Sequence, residues 1–331
     1  MRSLRRALNR ATSDGKVLGN SYRLYRENLS GRFVRKLVVV ALVGLVAQLV
    51  DGGLGMGYGA TSSTLLVFVG LTPLAASASV HLSELGTNLA SGLAHWRLRN
   101  VDWPVAARIA GPGAIGAFLG ATVLSMLSTE WAKPLMSVIL ALLGSYIIVR
   151  FVIGIRPQLK KRLTTRFLAP LGLFAGFVDA TGGGGWGPVA TPALLSGGRL
   201  EPRRVIGSVD TAEFAVSAAA SLGFLIGIGA SGISWGFALA LLAGGLIAAP
   251  VAAYLVKIAP ARLLGVAVGG VIVLTNLRTI LSNFEVSGSA RILAYLVVLA
   301  VTALSLYISM LRSKQQAVRP SGDPVLESVN A

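Results

Sequence analysis

The sequence contains no cysteine, only two histidines, and few acids, with 13 Asp and Glu against 30 Lys and Arg in 331 residues. The missing cysteine excludes disulfides and thiolate metal sites, and leaves the compartment open. The histidines, His81 and His95, are too far apart in sequence to be metal ligands on one helical turn. No Ser/His/Asp arrangement stands out. No Gly-Lys-Ser/Thr follows a glycine-rich stretch, so a nucleotide P-loop is absent, and Gly182-x-Gly184-x-x-Gly187 follows an apolar helix rather than a βαβ strand. Nothing here predicts an enzyme or a cofactor. Charged residues of either sign make up 13% of the chain, against about a quarter in soluble domains.

What fills the chain instead is apolar. Hydrophobic residues make up 54% of it, and the mean hydropathy is +0.72. Several apolar runs reach roughly 20 residues, enough to cross about 30 Å of hydrocarbon. This composition predicts a polytopic helical membrane protein whose first partner is the lipid bilayer. The net charge of +17 sits at the flanks of apolar segments, where positive-inside topology and anionic lipid account for it. Nucleic acid is not an expected partner.

Residues 1–33 form a basic arm with Arg2, Arg5, Arg6, Arg10, Lys16, Arg23, Arg26 and Arg32 against Asp14 and Glu27. It contains no apolar core, so a secretory signal peptide is not expected. A cytoplasmic orientation signal or a surface-lying basic segment is, and an organellar presequence shares the composition. Apolar runs predict helices near Val34–Val50, Pro73–Trp96, Pro104–Leu127 and Lys133–Val152, with a short segment at Gly57–Gly70. A basic hinge, 154–165, carries Arg156, Lys160, Lys161 and Arg162. The order then repeats: Arg166–Val178, a short segment ending near Ser196, Pro202–Gly229, Ile233–Val256 and Ala261–Leu281. A last run, Ile292–Leu311, has no counterpart, and the tail 313–331 is polar. The expected fold is therefore all-α and polytopic. Repeat 1 spans 34–153 and repeat 2 spans 166–282, each with about four transmembrane helices plus a short re-entrant segment. An extra helix at 290–312 brings the crossings to eight or nine.

Each half carries a glycine-rich break that begins with an aspartate, Asp51-Gly52-Gly53-Leu54-Gly55-Met56-Gly57-Tyr58-Gly59 and Asp179-Ala180-Thr181-Gly182-Gly183-Gly184-Gly185-Trp186-Gly187-Pro188. A shift of about 128 matches Asp51 with Asp179, Tyr58 with Trp186 and Arg150 with Arg278. A shift of about 129 matches Ser79-Val80-His81-Leu82-Ser83-Glu84 with Ser208-Val209-Asp210-Thr211-Ala212-Glu213. Paired interrupted segments in two halves are the best sequence pointer to a transporter's binding site. Charge predicts that the arm, Arg97/Arg99 and the hinge all face the cytoplasm. That holds if each short segment re-enters without crossing and the repeats are parallel. Arg199, Arg203 and Arg204 then lie outside, which fits less well.

Two sets of residues are candidates for chemistry. The amides and room at Gly55, Gly57, Gly183, Gly184 and Gly185, with the N-terminal dipole of each short helix, suit an anion. Tyr58 and Trp186 wall that site or simply pack. Thr61, Ser62, Ser63, Thr181 and Thr191, with Ser79 and Ser208, add hydroxyls. Asp51 and Asp179 fit local amide caps better than anion contacts. The second set is a polar stripe at helical spacing, Ser77, His81, Glu84, Asn88 and His95, repeated as Asp210, Glu213, Ser217 and Ser221. Ionisable residues at membrane depth are costly and face a cavity or a partner. A satisfied interhelical network remains open, but the recurrence of Glu84 as Glu213 favours an ion-coupling role for Glu84, Glu213, His81 and Asp210.

The breaks, the run Ala76-Ser77-Ala78-Ser79-Val80-His81-Leu82-Ser83-Glu84, and Ser91-Gly92-Leu93-Ala94-His95-Trp96-Arg97 leading into Asn100-Val101-Asp102-Trp103 resemble the TauE/SafE family of sulfite and organosulfonate exporters. In the second half the resemblance rests on Thr181-Gly182-Gly183-Gly184-Gly185-Trp186-Gly187-Pro188 and Gly207-Ser208-Val209-Asp210-Thr211-Ala212-Glu213. It covers roughly 34–282 and implies ion-coupled transport of small sulfur-containing anions. Met56 and Tyr58 depart from a plain glycine run and bear on pocket size.

The expectation is alternating-access transport of a small anion at a bacterial inner membrane with the N-terminus cytoplasmic. An ionised glutamate repels an anion, so Glu84 or Glu213 must bind a proton or a coupling cation during part of the cycle. A cation or neutral-solute permease and a non-transport assembly factor are the alternatives, and a homodimer is left open.

Overall fold

The structure, a computed structural model, describes residues 31, 33–51, 56–153, 163–197, 200, 202–255 and 261–318. The expectations for the arm up to residue 30, Gly55, residues 154–162 of the hinge and the tail beyond 318 lie outside the described residues. Eleven helices account for nearly all of the rest. They are α1 (Phe33–Asp51), α2 (Tyr58–Phe68), α3 (Pro73–Arg97), α4 (Trp103–Met126), α5 (Thr129–Ile153), α6 (Thr165–Gly182), α7 (Trp186–Gly197), α8 (Pro202–Gly232), α9 (Trp235–Leu255), α10 (Ala261–Asn283) and α11 (Gly288–Val318).

Local chemistry sets the ends. Thr72 and Asp102 cap α3 and α4, accepting from Ala75 N at 3.2 Å and Val105 N at 3.2 Å, with proline in the first turn of each. Gly229, at φ 68°, interrupts α8 near its end. Among the described residues six helices are long and apolar enough to cross a membrane: Phe33–Asp51, Trp103–Met126, Thr129–Ile153, Arg204–Gly232, Arg262–Asn283 and Gly288–Arg312. That is fewer than the eight or nine expected. The 25-residue α3 has the length but carries the polar stripe, and α6 ends at the second break after 18 residues. Trp96, Trp103, Trp131 and Trp235 are exposed at helix ends, where interfacial anchors belong.

Contacts fix the helix directions. A Cβ at Gly172 would meet Ile109, one at Gly176 Gly113, and one at Gly120 Phe177, so α4 and α6 are parallel. Gly223 against Ala121 and Gly227 against Ser125 make α8 parallel to α4 as well. By contrast, Gly92 meets Thr211 while Glu84 meets Ser217, so α3 and α8 are antiparallel. Gly265 meets Phe151 while Gly144 meets Ile272, so α5 and α10 are antiparallel too. Helix α1 runs parallel to α9, with Phe33 beside Phe237 and Gln48 beside Gly245.

These directions correct the parallel-repeat expectation. Because α6 and α8 run the same way, the break and α7 return the chain to the end from which α6 started. Each half then traverses the bundle an odd number of times, and helices that the sequence aligns, α3 with α8 and α5 with α10, point in opposite directions. The starts of α1 and α6 therefore lie at opposite poles, against the expectation that charge places both on one side. At the first pole α1, α5 and α9 begin; at the second α5 ends and α6 begins.

Two apolar cores lie side by side. One joins α4 to α6, α7 and α8 through Ile109, Leu124, Leu168, Trp186, Leu194 and Phe224. The other joins α9 and α5 to α1, α2 and α3 through Val40, Leu66, Val80, Met136, Leu140 and Leu241. The helix α11 packs on α10 at the periphery, and 11% of its apolar window is buried.

Candidate functional site

The two breaks meet between these cores. At the second, Gly183 and Gly184 adopt φ 74° and 150°, and their amides donate to the Asp179 carbonyl at 2.6 and 3.0 Å. Oδ1 of Asp179 then accepts from the amides of Gly185, 2.7 Å, and Trp186, 3.0 Å. At the first, Gly57 has φ 108° and Oδ1 of Asp51 accepts from Tyr58 N at 3.3 Å. Both aspartates therefore cap the short helices, as their place in the sequence suggests. Of the amides considered for an anion, that of Gly185 is taken by the Asp179 carboxylate and those of Gly183 and Gly184 by the Asp179 carbonyl. A Cβ on Gly184 would run into the backbone of Gly59 and Ala60, so only glycine permits the two breaks to touch.

Beside this contact lies a buried ionisable cluster. His81 Nδ1 is 3.0 Å from Oε2 of Glu84 and 3.8 Å from Oδ2 of Asp179. Ser217, from the facing α8, donates to the same Oε2 at 3.0 Å. One ligand atom each from His81, Glu84 and Asp179 lies within 4.8 Å of the others, a donor set that fits a proton or a cation. Three polar atoms here, His81 Nε2, Glu84 Oε1 and Asp179 Oδ2, are buried without a hydrogen-bond partner. Oε1 of Glu84 also lies against Gly59. The stripe of one half thus meets the break of the other.

The opposite combination forms a second cluster. Asp51 shares with Asp210 and Glu213 the wall of a cavity of about 20 Å³, also lined by Gly57, Gly187 and Thr191. That volume exceeds the ~10–15 Å³ one water needs. Asp210 also accepts a hydrogen bond from Ser91, and His95 Nε2 lies 3.6 Å from its Oδ2. The four residues picked out for ion coupling therefore separate into neighbouring clusters, His81 with Glu84 and Asp210 with Glu213. Each cluster holds an aspartate that the sequence marked only as a cap.

The remaining candidates divide between site and scaffold. Tyr58 donates or accepts at Ser83 Oγ, 3.1 Å, and Trp186 is fully buried with Nε1 donating to Val209 O at 2.9 Å. Both pack, with their polar handles satisfied. Ser62 donates to the carbonyls of Tyr58 and Gly59 in its own helix, at 2.5 and 3.2 Å. Ser63 donates to Gly183 O, tying α2 to the second break. Thr61 and Ser79 keep buried hydroxyls without a partner. Ser208 lies away from the breaks, accepting from Asp102 N at 2.7 Å beside the Asp102–Arg204 ion pair.

The chain matches known proteins by sequence. The family model for the sulfite exporter TauE/SafE matches residues 40–279. The chain belongs to the TauE/SafE family. It is 48% identical over 271 residues to a probable membrane transporter protein, YtnM, of Bacillus subtilis (strain 168), covering 81% of this chain and 90% of that protein. A second probable membrane transporter of that organism, YdhB, is 22% identical over 193 residues, covering 57% of this chain and 77% of YdhB. No solved structure matches. As a TauE/SafE member the protein is an integral membrane transporter and not an enzyme. The matched span begins inside α1 and stops before α11, so it contains both breaks and both clusters.

Proposed function

We propose that this transporter carries a small sulfur-containing oxyanion, of the sulfite or organosulfonate type, across a bacterial plasma membrane, coupled to a proton or a cation. The observation that carries this is the contact of the two glycine breaks at Gly59 and Gly184 beside the buried His81–Glu84–Asp179 cluster. Irregular backbone at membrane depth is tolerated where it is buried in protein or lines a cavity. The family supplies the class of cargo.

Coupling follows from charge. Glu84 and Asp179 lie so close to the breaks that two ionised carboxylates repel an anion bound there. A proton shared along Glu84–His81–Asp179, or a cation on the same oxygens, removes that repulsion. Cation binding and anion binding then favour one another. The opposed directions of α3 with α8 and of α5 with α10 support two inverted homologous halves. Each contributes its short helix and its stripe, and exchanging their conformations gives inward-facing and outward-facing states.

A binding screen on purified protein tests the cargo. Sulfite and small sulfonates are expected to bind, and carboxylates and neutral solutes are not. Binding of carboxylates alone would overturn the assignment. The three-ligand geometry at His81 also favours a second reading, a cation permease. In that case a cation binds with the same affinity whether or not sulfite is present.

A further inference from the structure

The outer end of α2 opens on a pocket that neither cluster includes. It has a volume of about 340 Å³, within the size of small-molecule sites, about 300–1,000 Å³. Lys133 from the start of α5 and Arg278, Thr279, Ser282 and Asn283 from the last turns of α10 line it against Phe68. All five are hydrogen-bond donors, and no carboxylate is in the lining. Among the described residues neither cation forms an ion pair, although Glu130 and Glu285 are near in sequence. The guanidinium of Arg278 lies 5.3 Å over the Phe68 ring, which holds it at the pocket wall. Neither Arg278 nor Lys133 lies in the terminal turn of its helix, so the helix dipole does not account for their placement.

The pocket is continuous in sequence with a polar seam. One turn inward from Phe68, Thr64 Oγ1 accepts from Asn276, two residues before Arg278, at 3.0 Å. The next residue, Ser63, donates to the Gly183 carbonyl, and Thr61 and Ser62 are buried as well. The hydroxyls of Ser62 and Ser63 are donated to backbone carbonyls, and successive helical positions point about 100° apart, so the seam ties α2 to α10 and to the second break.

We propose that this pocket is an oxyanion-binding vestibule, in which Lys133 and Arg278 hold a small oxyanion at the mouth of the α2 seam. The identity of the cargo rests on the anion reading above; the vestibule's affinity for an oxyanion does not. The same donors suit a free sulfur oxyanion, inorganic phosphate or the phosphate of a lipid headgroup.

The test uses the full-length protein in phosphatidylcholine nanodiscs, titrated with sulfite and separately with inorganic phosphate. The Lys133→Gln/Arg278→Gln variant is expected to bind either probe about tenfold more weakly or worse, having lost two charge-assisted contacts. Both side chains are exposed, so packing is preserved. Ser282→Glu, which adds a carboxylate to the lining without removing a cation, is expected to weaken binding in the same way. Repeating the titration in phosphatidylglycerol nanodiscs separates the sources. Weakened sulfite binding to the wild type there identifies a lipid phosphate as the resident, and unchanged binding identifies the free anion. Phosphate binding that depends on Lys133 and Arg278, with no sulfite flux, would keep the vestibule and remove the cargo assignment. Wild-type-like binding in both variants, or no binding by the wild type, would overturn the vestibule.

Discussion

Asp179 uses its two oxygens differently. Oδ1 caps α7 through the amides of Gly185 and Trp186, while Oδ2 faces His81 without a hydrogen-bond partner. Asparagine can keep the cap and lose the charge; alanine loses both. Asp179→Asn should therefore unfold at nearly the wild-type temperature in detergent, yet transport about tenfold more slowly or worse, a loss of ~1.4 kcal/mol in transition-state terms. Asp179→Ala should in addition lose the ~0.5–2 kcal/mol typical of an N-cap. Equal flux in Asp179→Asn and wild type would leave the residue with a capping role only. The sequence disclosed half of this. An aspartate ending an apolar run before glycines signals a cap, but nothing local says that α3 of the other half brings His81 to its second oxygen.

At the scale of helices, the closest packing depends on which glycines of α4 face a neighbour. Gly116 lies against the Leu173 carbonyl and Gly120 against Phe177, while Gly111 has nothing within 4 Å. Gly116→Ala is expected to force α4 and α6 apart and to cost ~1–3 kcal/mol, the usual range for overpacking. Gly111→Ala, in the same helix, should be neutral or stabilise by up to ~1 kcal/mol through helix propensity. Thermal unfolding of the two variants side by side checks this, and equal effects in the two would show that the close contact at Gly116 does not govern α4. Helix limits were legible because apolar runs end at Thr72-Pro73, at Asp102-Trp103-Pro104 and at the glycine breaks. The packing face was not, since Gly111, Gly113, Gly116 and Gly120 look alike until α6 and α8 are in place.

Over the whole molecule, direction was the property that the sequence obscured. The internal match of Ser79–Glu84 with Ser208–Glu213 predicts two related halves, but residue identity carries no sense of up or down. A count of basic residues along the chain does not give direction, because α1 and α6 begin at opposite poles. The second pole gathers Arg97, Arg99, Arg150, Arg166, Arg204 and Arg312 at helix ends, against Lys133, Arg278 and Arg291 at the first beyond the arm and the start of α1. Positive-inside charge on these helix ends predicts a cytoplasmic second pole and an external Lys133/Arg278 pocket. The chain's lack of cysteine makes this simple to measure. In intact cells a membrane-impermeant maleimide should label Ser287→Cys at the first pole and spare Thr164→Cys at the second. The reverse pattern would mean that the arm sets the orientation.

The central claim is that anion movement is coupled through Glu84 and Asp179 at the contact of the two breaks. Sulfite flux into proteoliposomes, with and without an imposed proton or sodium gradient, tests it most directly. Wild-type protein should carry sulfite faster when one of these gradients is imposed, and Glu84→Gln and Asp179→Asn should lose that acceleration. Gradient-driven sulfite flux that is the same in wild type and in both variants would contradict it.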